Sequence, residues 1–141
     1  ADGVHLGQDD MPPGAARKIL GSSRLIGYST HTSEQARAAT TLPIDYVAYG
    51  PIFDTRSKEN PDKTVGIDGL KSVCDMLTDM PVVAIGGISV LNACDVINSG
   101  ASSVAVISAL LSVPDEIEER TRELRQIVAD VARDVARASR P

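Results

Sequence analysis

A chain of 141 residues with 43% hydrophobic side chains, 3% aromatic residues and no Trp is sized for one aliphatic, close-packed domain. Its formal charge of -5, with no basic stripe, excludes nonspecific nucleic-acid binding, which needs Lys and Arg to displace counterions from phosphates. The apolar runs are strand-sized and no basic-then-apolar leader opens the sequence, so no membrane span is expected and the cytoplasm is the predicted compartment.

In chain order, Gly3 to Leu6 reads as a short strand and runs into Gly7-Gln8-Asp9-Asp10, followed by a helix over 14–20. A second strand over 25–28 leads into Ser29-Thr30-His31-Thr32. Thr32 is placed to cap a helix over 33–41, with Gln35 in the capping-box position. The third strand, 46–49, stops at Gly50-Pro51. Beyond it stand Thr55, Arg56, Ser57 and Lys58, a run of hydroxyl and cationic groups suited to anionic oxygen. A helix over 67–79 and a strand over 82–85 come next, the strand ending in Gly86-Gly87. The fourth major helix is expected over 90–99, with Leu91, Val96 and Ile97 as its apolar stripe and Gly100 closing it. A strand over 103–107 passes into a short helical stretch, 109–111. The final helix, 114–138, carries Ile117, Leu124, Ile127, Val128, Val131 and Val135 at helical spacing. Cys74 and Cys94 fall inside helices without metal or redox spacing, which predicts buried free thiols.

Five short strands apolar on both faces, alternating with helices, predict a parallel sheet with its strands in sequence order, helices on one side and all the polar motifs at one end. Such a repeat fits an open doubly wound sheet or a closed (β/α)₈ barrel. The G-x-G-x-x-G fingerprint of the dinucleotide-binding open sheet is absent. Gly86-Gly87 at one strand end, followed by a strand ending in Ile107-Ser108 and a short extra helix, is instead the order in which barrels build a phosphate cup after their last two strands.

The five strand-end motifs together resemble thiamine phosphate synthase: Gly7-Gln8-Asp9-Asp10, Gly27-Tyr28-Ser29-Thr30-His31-Thr32, Gly50 through Lys58, Ala84-Ile85-Gly86-Gly87-Ile88 and Val106-Ile107-Ser108. The resemblance runs from Ala1 to about Ile127. It implies that residues 1–141 form a partial (β/α)₈ TIM barrel, supplying strands four to eight. The implied reaction is a transferase step of thiamine biosynthesis. An aminopyrimidine methyl diphosphate ionises to a carbocation, the nitrogen of a thiazole phosphate captures it, and thiamine phosphate and diphosphate are released with the help of Mg²⁺.

The resemblance assigns roles by position. Asp10 matches the carboxylate that holds Mg²⁺. Ser29 matches the serine that reaches the diphosphate and the reacting pyrimidine, and Lys58 the lysine paired with the diphosphate, so these two are the catalytic candidates. Thr55 and Ser57 match hydroxyls that grip the thiazole phosphate, and Gly87, Ile107 and Ser108 the positions that complete its cup. The Ile107 side chain is also expected in the core. His31 lies near a histidine that moves a proton in the related thiazole tautomerases, but those carry His where this chain has Pro51 and Cys where it has Ser57. His31 is therefore read as structural, and His5 as a core or lumen residue. A tautomerase-like enzyme and a noncatalytic phosphate-binding remnant are the alternatives. The Gln-x-Arg-x-Lys strand and the Asn-Asp pair of the family, which contact the pyrimidine and the metal, have no counterpart here. The segment is thus expected to be inactive alone, the missing N-terminal strands or a second chain completing the barrel.

Overall fold

Each of the five expected strands forms in the computed structural model, which describes residues 1–55 and 63–138. They are β1 (Gly3–Leu6), β2 (Leu25–Thr30), β3 (Tyr46–Tyr49), β4 (Val82–Ile85) and β5 (Ser103–Ala105). All neighbouring pairs are parallel, and the sheet order is β1-β2-β3-β4-β5. The helices are α1 (Pro13–Leu20), α2 (Ser33–Ala39), α3 (Gly66–Met76), α4 (Ala93–Asn98), α5 (Ser108–Leu111) and α6 (Ile117–Ala138), with a 3₁₀ turn at Pro114–Glu116.

Strand parity decides what the two faces of the sheet become. Ile26, Val47, Tyr49, Val82 and Ala84 alternate toward the helices and are buried with Ala36, Leu70, Val73, Val96 and Leu124 in one core cluster. The other face carries the row His5, Gly27 and Tyr46 and the row Ser29, Ala48, Val83 and Ser103, each set by the parallel register. The expectation of strands apolar on both faces therefore fails: one face is aliphatic core, the other a partly polar floor. A helix-covered face and an open one is the arrangement that leaves room for a ligand.

Local chemistry explains most element ends. Thr32 Oγ1 accepts from Gln35 N at 3.2 Å, and Gln35 Oε1 accepts from His31 N at 2.7 Å. The reciprocal cap thus reaches one residue further back than a capping box does. Gly100, at φ +107°, ends α4, as expected. The start of α4 differs from the sequence reading. Asn92 Oδ1 accepts from Ser89 N at 2.8 Å and holds a turn over 89–92, so the helix begins at Ala93 and Leu91 is 91% exposed. Val96 and Ile97 are buried as expected. Strand β5 stops at Ala105, and Ile107 begins the turn into α5 with its side chain 62% exposed, not in the core. Cys94 is also exposed, whereas burial pushes the Cys74 thiol up to about 11; both are free.

Helix α6 packs on α4 through Leu124 and Val131, with Ile127 and Val128 beside them. Arg120 joins α6 to the turn below it, bonding Glu116 and donating to the Ala109 carbonyl at 2.9 Å.

Candidate active site

The loops at the strand C-terminal ends converge on a cavity of about 450 Å³. Its floor is the open face of the sheet, with Ala48, Val83, Ile85 and Ala105 apolar and His5, Ser29 and Tyr46 polar. Thr55, Gly86, Gly87, Ile107 and Ser108 line its rim. Five of the residues singled out from the sequence, Ser29, Thr55, Gly87, Ile107 and Ser108, thus border one space although they come from four different strand ends.

Backbone bonds lace the rim together. Ile52 N donates to Ile85 O at 2.9 Å and Phe53 N to Gly86 O at 3.1 Å, which sets the loop carrying Thr55 against the Gly86-Gly87 turn. Gly87 has φ +67°, and a Cβ there would lie 2.6 Å from Asp54 O and 2.7 Å from Phe53 Cβ. Only glycine accepts both the left-handed backbone and the closeness of that loop. Asn92 Nδ2 donates to Gly87 O at 3.2 Å, so the same side chain that delays α4 also braces the turn.

Asp10 stands on the β1 loop. Its Oδ2 accepts from Gly7 N at 2.7 Å, and Asp10 is not among the residues that line the cavity. Gln8 ties this loop to β2 by donating to Ser29 O at 2.5 Å. Burial lowers the His5 pKa and the Asp10 charge opposes that shift. Among the described residues no group of three or more His, Cys, Asp and Glu side chains gathers into a metal cage. A hard cation carried on a diphosphate needs only one or two carboxylates, with water and phosphate oxygens filling its other positions. The exposed Asp10 carboxylate, held through one oxygen, fits such a partial site.

His31 also lines the cavity, with Nδ1 2.6 Å from the Gly50 carbonyl, the residue before the cis Gly50-Pro51 bond. A carbonyl only accepts, so Nδ1 carries the proton, and the ring anchors the β3 loop. Arg56, Ser57 and Lys58 lie outside the described residues. Among the described residues that border the cavity, the basic side chains are the two histidines alone.

His5, expected in the core or the lumen, lines the cavity. Two further residues carry no site signal in the sequence. Tyr46 reads as one more apolar strand residue, yet its hydroxyl reaches His5 Nδ1 at 3.0 Å. Asn92 reads as part of a helix. A polar residue in β1 at the same parity as Tyr46 in β3, with Gly27 between them, was the one available signal.

A parallel βα sheet with polar groups collected over its strand C-terminal ends defines an α/β protein with a small-ligand site at that face. A family profile described as thiamine monophosphate synthase (TMP-TENI) matches residues 1–110, and the chain belongs to that family. It is 49% identical over 126 residues to the thiamine-phosphate synthase of Koribacter versatilis, covering 89% of this chain and 58% of that protein. It is 51% identical over 115 residues to that of Chlorobium phaeovibrioides, covering 82% of this chain and 54% of that protein. The solved thiamine phosphate pyrophosphorylase of Pyrococcus furiosus superposes with a TM-score of 0.81 at 38% identity, covering 93% of this chain and 61% of that one. The chain therefore spans less than two thirds of the length of the relatives it matches.

Proposed function

We propose that this chain is the C-terminal five βα units of a (β/α)₈ thiamine phosphate synthase, and that its cavity joins an aminopyrimidine diphosphate to a thiazole phosphate. The observation that supports this best is the convergence of Ser29, Thr55, Gly87, Ile107 and Ser108 on one cavity in a chain of this family. The thiazole phosphate sits at the rim, where Thr55, the Gly87 turn and Ser108 offer hydroxyl and backbone donors; Ser57 is assigned to the same phosphate from its motif position alone. Ser29 faces the diphosphate that leaves, and Lys58 is assigned to that group from its motif position alone. A flexible ammonium suits a group that must depart.

Ionisation of the pyrimidine carbon concentrates charge on the diphosphate, so donors aimed there lower the barrier more than they tighten ground-state binding. Asp10 is the residue that would hold Mg²⁺, which when bound would supply further neutralisation of that charge. The floor of Ala48, Val83, Ile85 and Ala105 gives the heterocycles an apolar bed and keeps out water that would quench the cation. The whole barrel requires three more strands beside β1 and β5, which do not pair with each other here. They would also bring the pyrimidine contacts.

The test is product formation. Full-length protein given both substrates and Mg²⁺ should make thiamine phosphate, and the 141-residue segment alone should not. A full-length protein that makes none overturns the reading. Turnover by the segment at the full-length rate overturns the need for further strands.

A further inference from the structure

Ser29 Oγ lies 2.8 Å from His5 Nε2, and His5 Nδ1 lies 3.0 Å from the Tyr46 hydroxyl. Three side chains from β1, β2 and β3 thus form one hydrogen-bond chain across the cavity floor. The His5 and Tyr46 rings stack at 5.6 Å with 26° between their planes. Gly27 lies beneath: a Cβ there would come within 2.1 Å of Tyr46 Cζ and 2.5 Å of His5 Nδ1. The tyrosine reaches the histidine because the strand between them has no side chain at that point.

A serine this close to an imidazole is an activated nucleophile when a carboxylate accepts a hydrogen bond from the N–H of the other ring nitrogen, since Nε2 is then left to accept from the hydroxyl. Here a phenol stands where the carboxylate would be, and that reverses the chain. A phenol is a far stronger acid than a serine hydroxyl and the better donor to a ring nitrogen. If Nδ1 donated to Tyr46 instead, the phenol proton would need another acceptor, and the Tyr46 hydroxyl bonds no other group in the hydrogen bonds of the described residues. Burial favours the neutral forms of both rings, lowering the pKa of His5 and raising that of Tyr46.

We propose that Tyr46 and His5 are positioning residues that make Ser29 a dedicated hydrogen-bond donor. Tyr46 O–H donates to His5 Nδ1, His5 Nε2–H donates to Ser29 Oγ, and the Ser29 hydroxyl hydrogen is turned into the cavity toward an anionic oxygen. Ser29 is therefore no nucleophile: both its lone-pair side and its proton are committed. The identity of that oxygen, a diphosphate oxygen of the departing group, rests on the function proposed above. The order of donors does not.

The experiment is nitrogen NMR of the full-length protein labelled at histidine, with the His5 signals identified by their loss in His5→Asn. Above the His5 pKa, Nε2 should be the protonated nitrogen and Nδ1 the bare one. In Tyr46→Phe, and in Gly27→Ala, where the new methyl drives the tyrosine ring away, that preference should be lost. With both substrates saturating, turnover in either variant should fall about tenfold, the loss of one well-aimed donor to a charged group, with KM for the thiazole phosphate unchanged. A protein whose His5 is protonated on Nδ1 overturns the proposal without substitution of any residue. So does a Tyr46→Phe protein that keeps both tautomer and turnover. If the tautomer is as stated but no thiamine phosphate forms, the donor order stands and the synthase reading falls.

Discussion

One guanidinium at the strand N-terminal end of the sheet holds the side of the molecule opposite the site. Arg17 donates to the carbonyls of Pro43 (3.1 Å), Gly21 (3.0 Å) and Arg24 (2.6 Å) and pairs with Asp45 at 2.6 Å. Asp45 Oδ2 also accepts from Ile26 N at 2.6 Å. The Ile26 N–H first, and then Arg17, hold the Asp45 carboxyl below its usual range. A carboxylate depressed in the folded state adds stability above the unfolded pKa, about 3.9, and that stability drains away as pH falls through the lower folded value. Asp45→Asn should cost about 1–2 kcal/mol at neutral pH, the lower end of what a charged hydrogen bond loses, because the pair is partly solvated. Below pH 3 the difference from the unsubstituted chain should shrink, as urea unfolding at both pH values would show. At this scale the sequence announces what sits in a loop motif and hides what depends on register. Ser29, Thr55 and Gly87 stand at strand ends with recognisable neighbours. His5 and Tyr46 meet only because parallel pairing sets His5 opposite Gly27 and Gly27 opposite Tyr46.

Among the elements, the strands follow directly from their short aliphatic runs, and all five begin and end at or within two residues of the expected positions. β2 runs two residues longer than expected and β5 ends two residues short, because Ile107 has left the sheet to begin α5. Helix ends are legible where a side chain caps locally, as Thr32 does, and Thr32→Ala should lower stability by about 1 kcal/mol in thermal unfolding. They are obscure where a side chain serves a distant loop. Asn92 looks like an interior helix residue, but its amide spans from Ser89 N to the Gly87 carbonyl. Asn92→Ala should leave the fold intact and loosen the Gly86-Gly87 turn, weakening thiazole phosphate binding severalfold in calorimetry. Gly87→Ala should weaken it more, since the positive φ alone costs about 1–2 kcal/mol and the methyl collides with Asp54 O and Phe53.

At the scale of the molecule, the sheet divides structure from function. Its helix face is a continuous aliphatic core, and its other face and C-terminal rim carry the polar groups. Parallel strands make that division inevitable, because every loop that follows a strand emerges on the same end. This is why motifs scattered along the chain gather at one end of the sheet, four of them bordering the cavity. The most direct test is the single-turnover rate of thiamine phosphate formation by the full-length protein, saturated with both substrates and Mg²⁺, compared with Asp10→Ala. Asp10 is assigned to charge that grows on the departing diphosphate, so the rate should fall about a hundredfold while the affinity for the thiazole phosphate holds. An unchanged rate, or a loss confined to thiazole phosphate binding, would contradict a diphosphate-leaving reaction centred on this face.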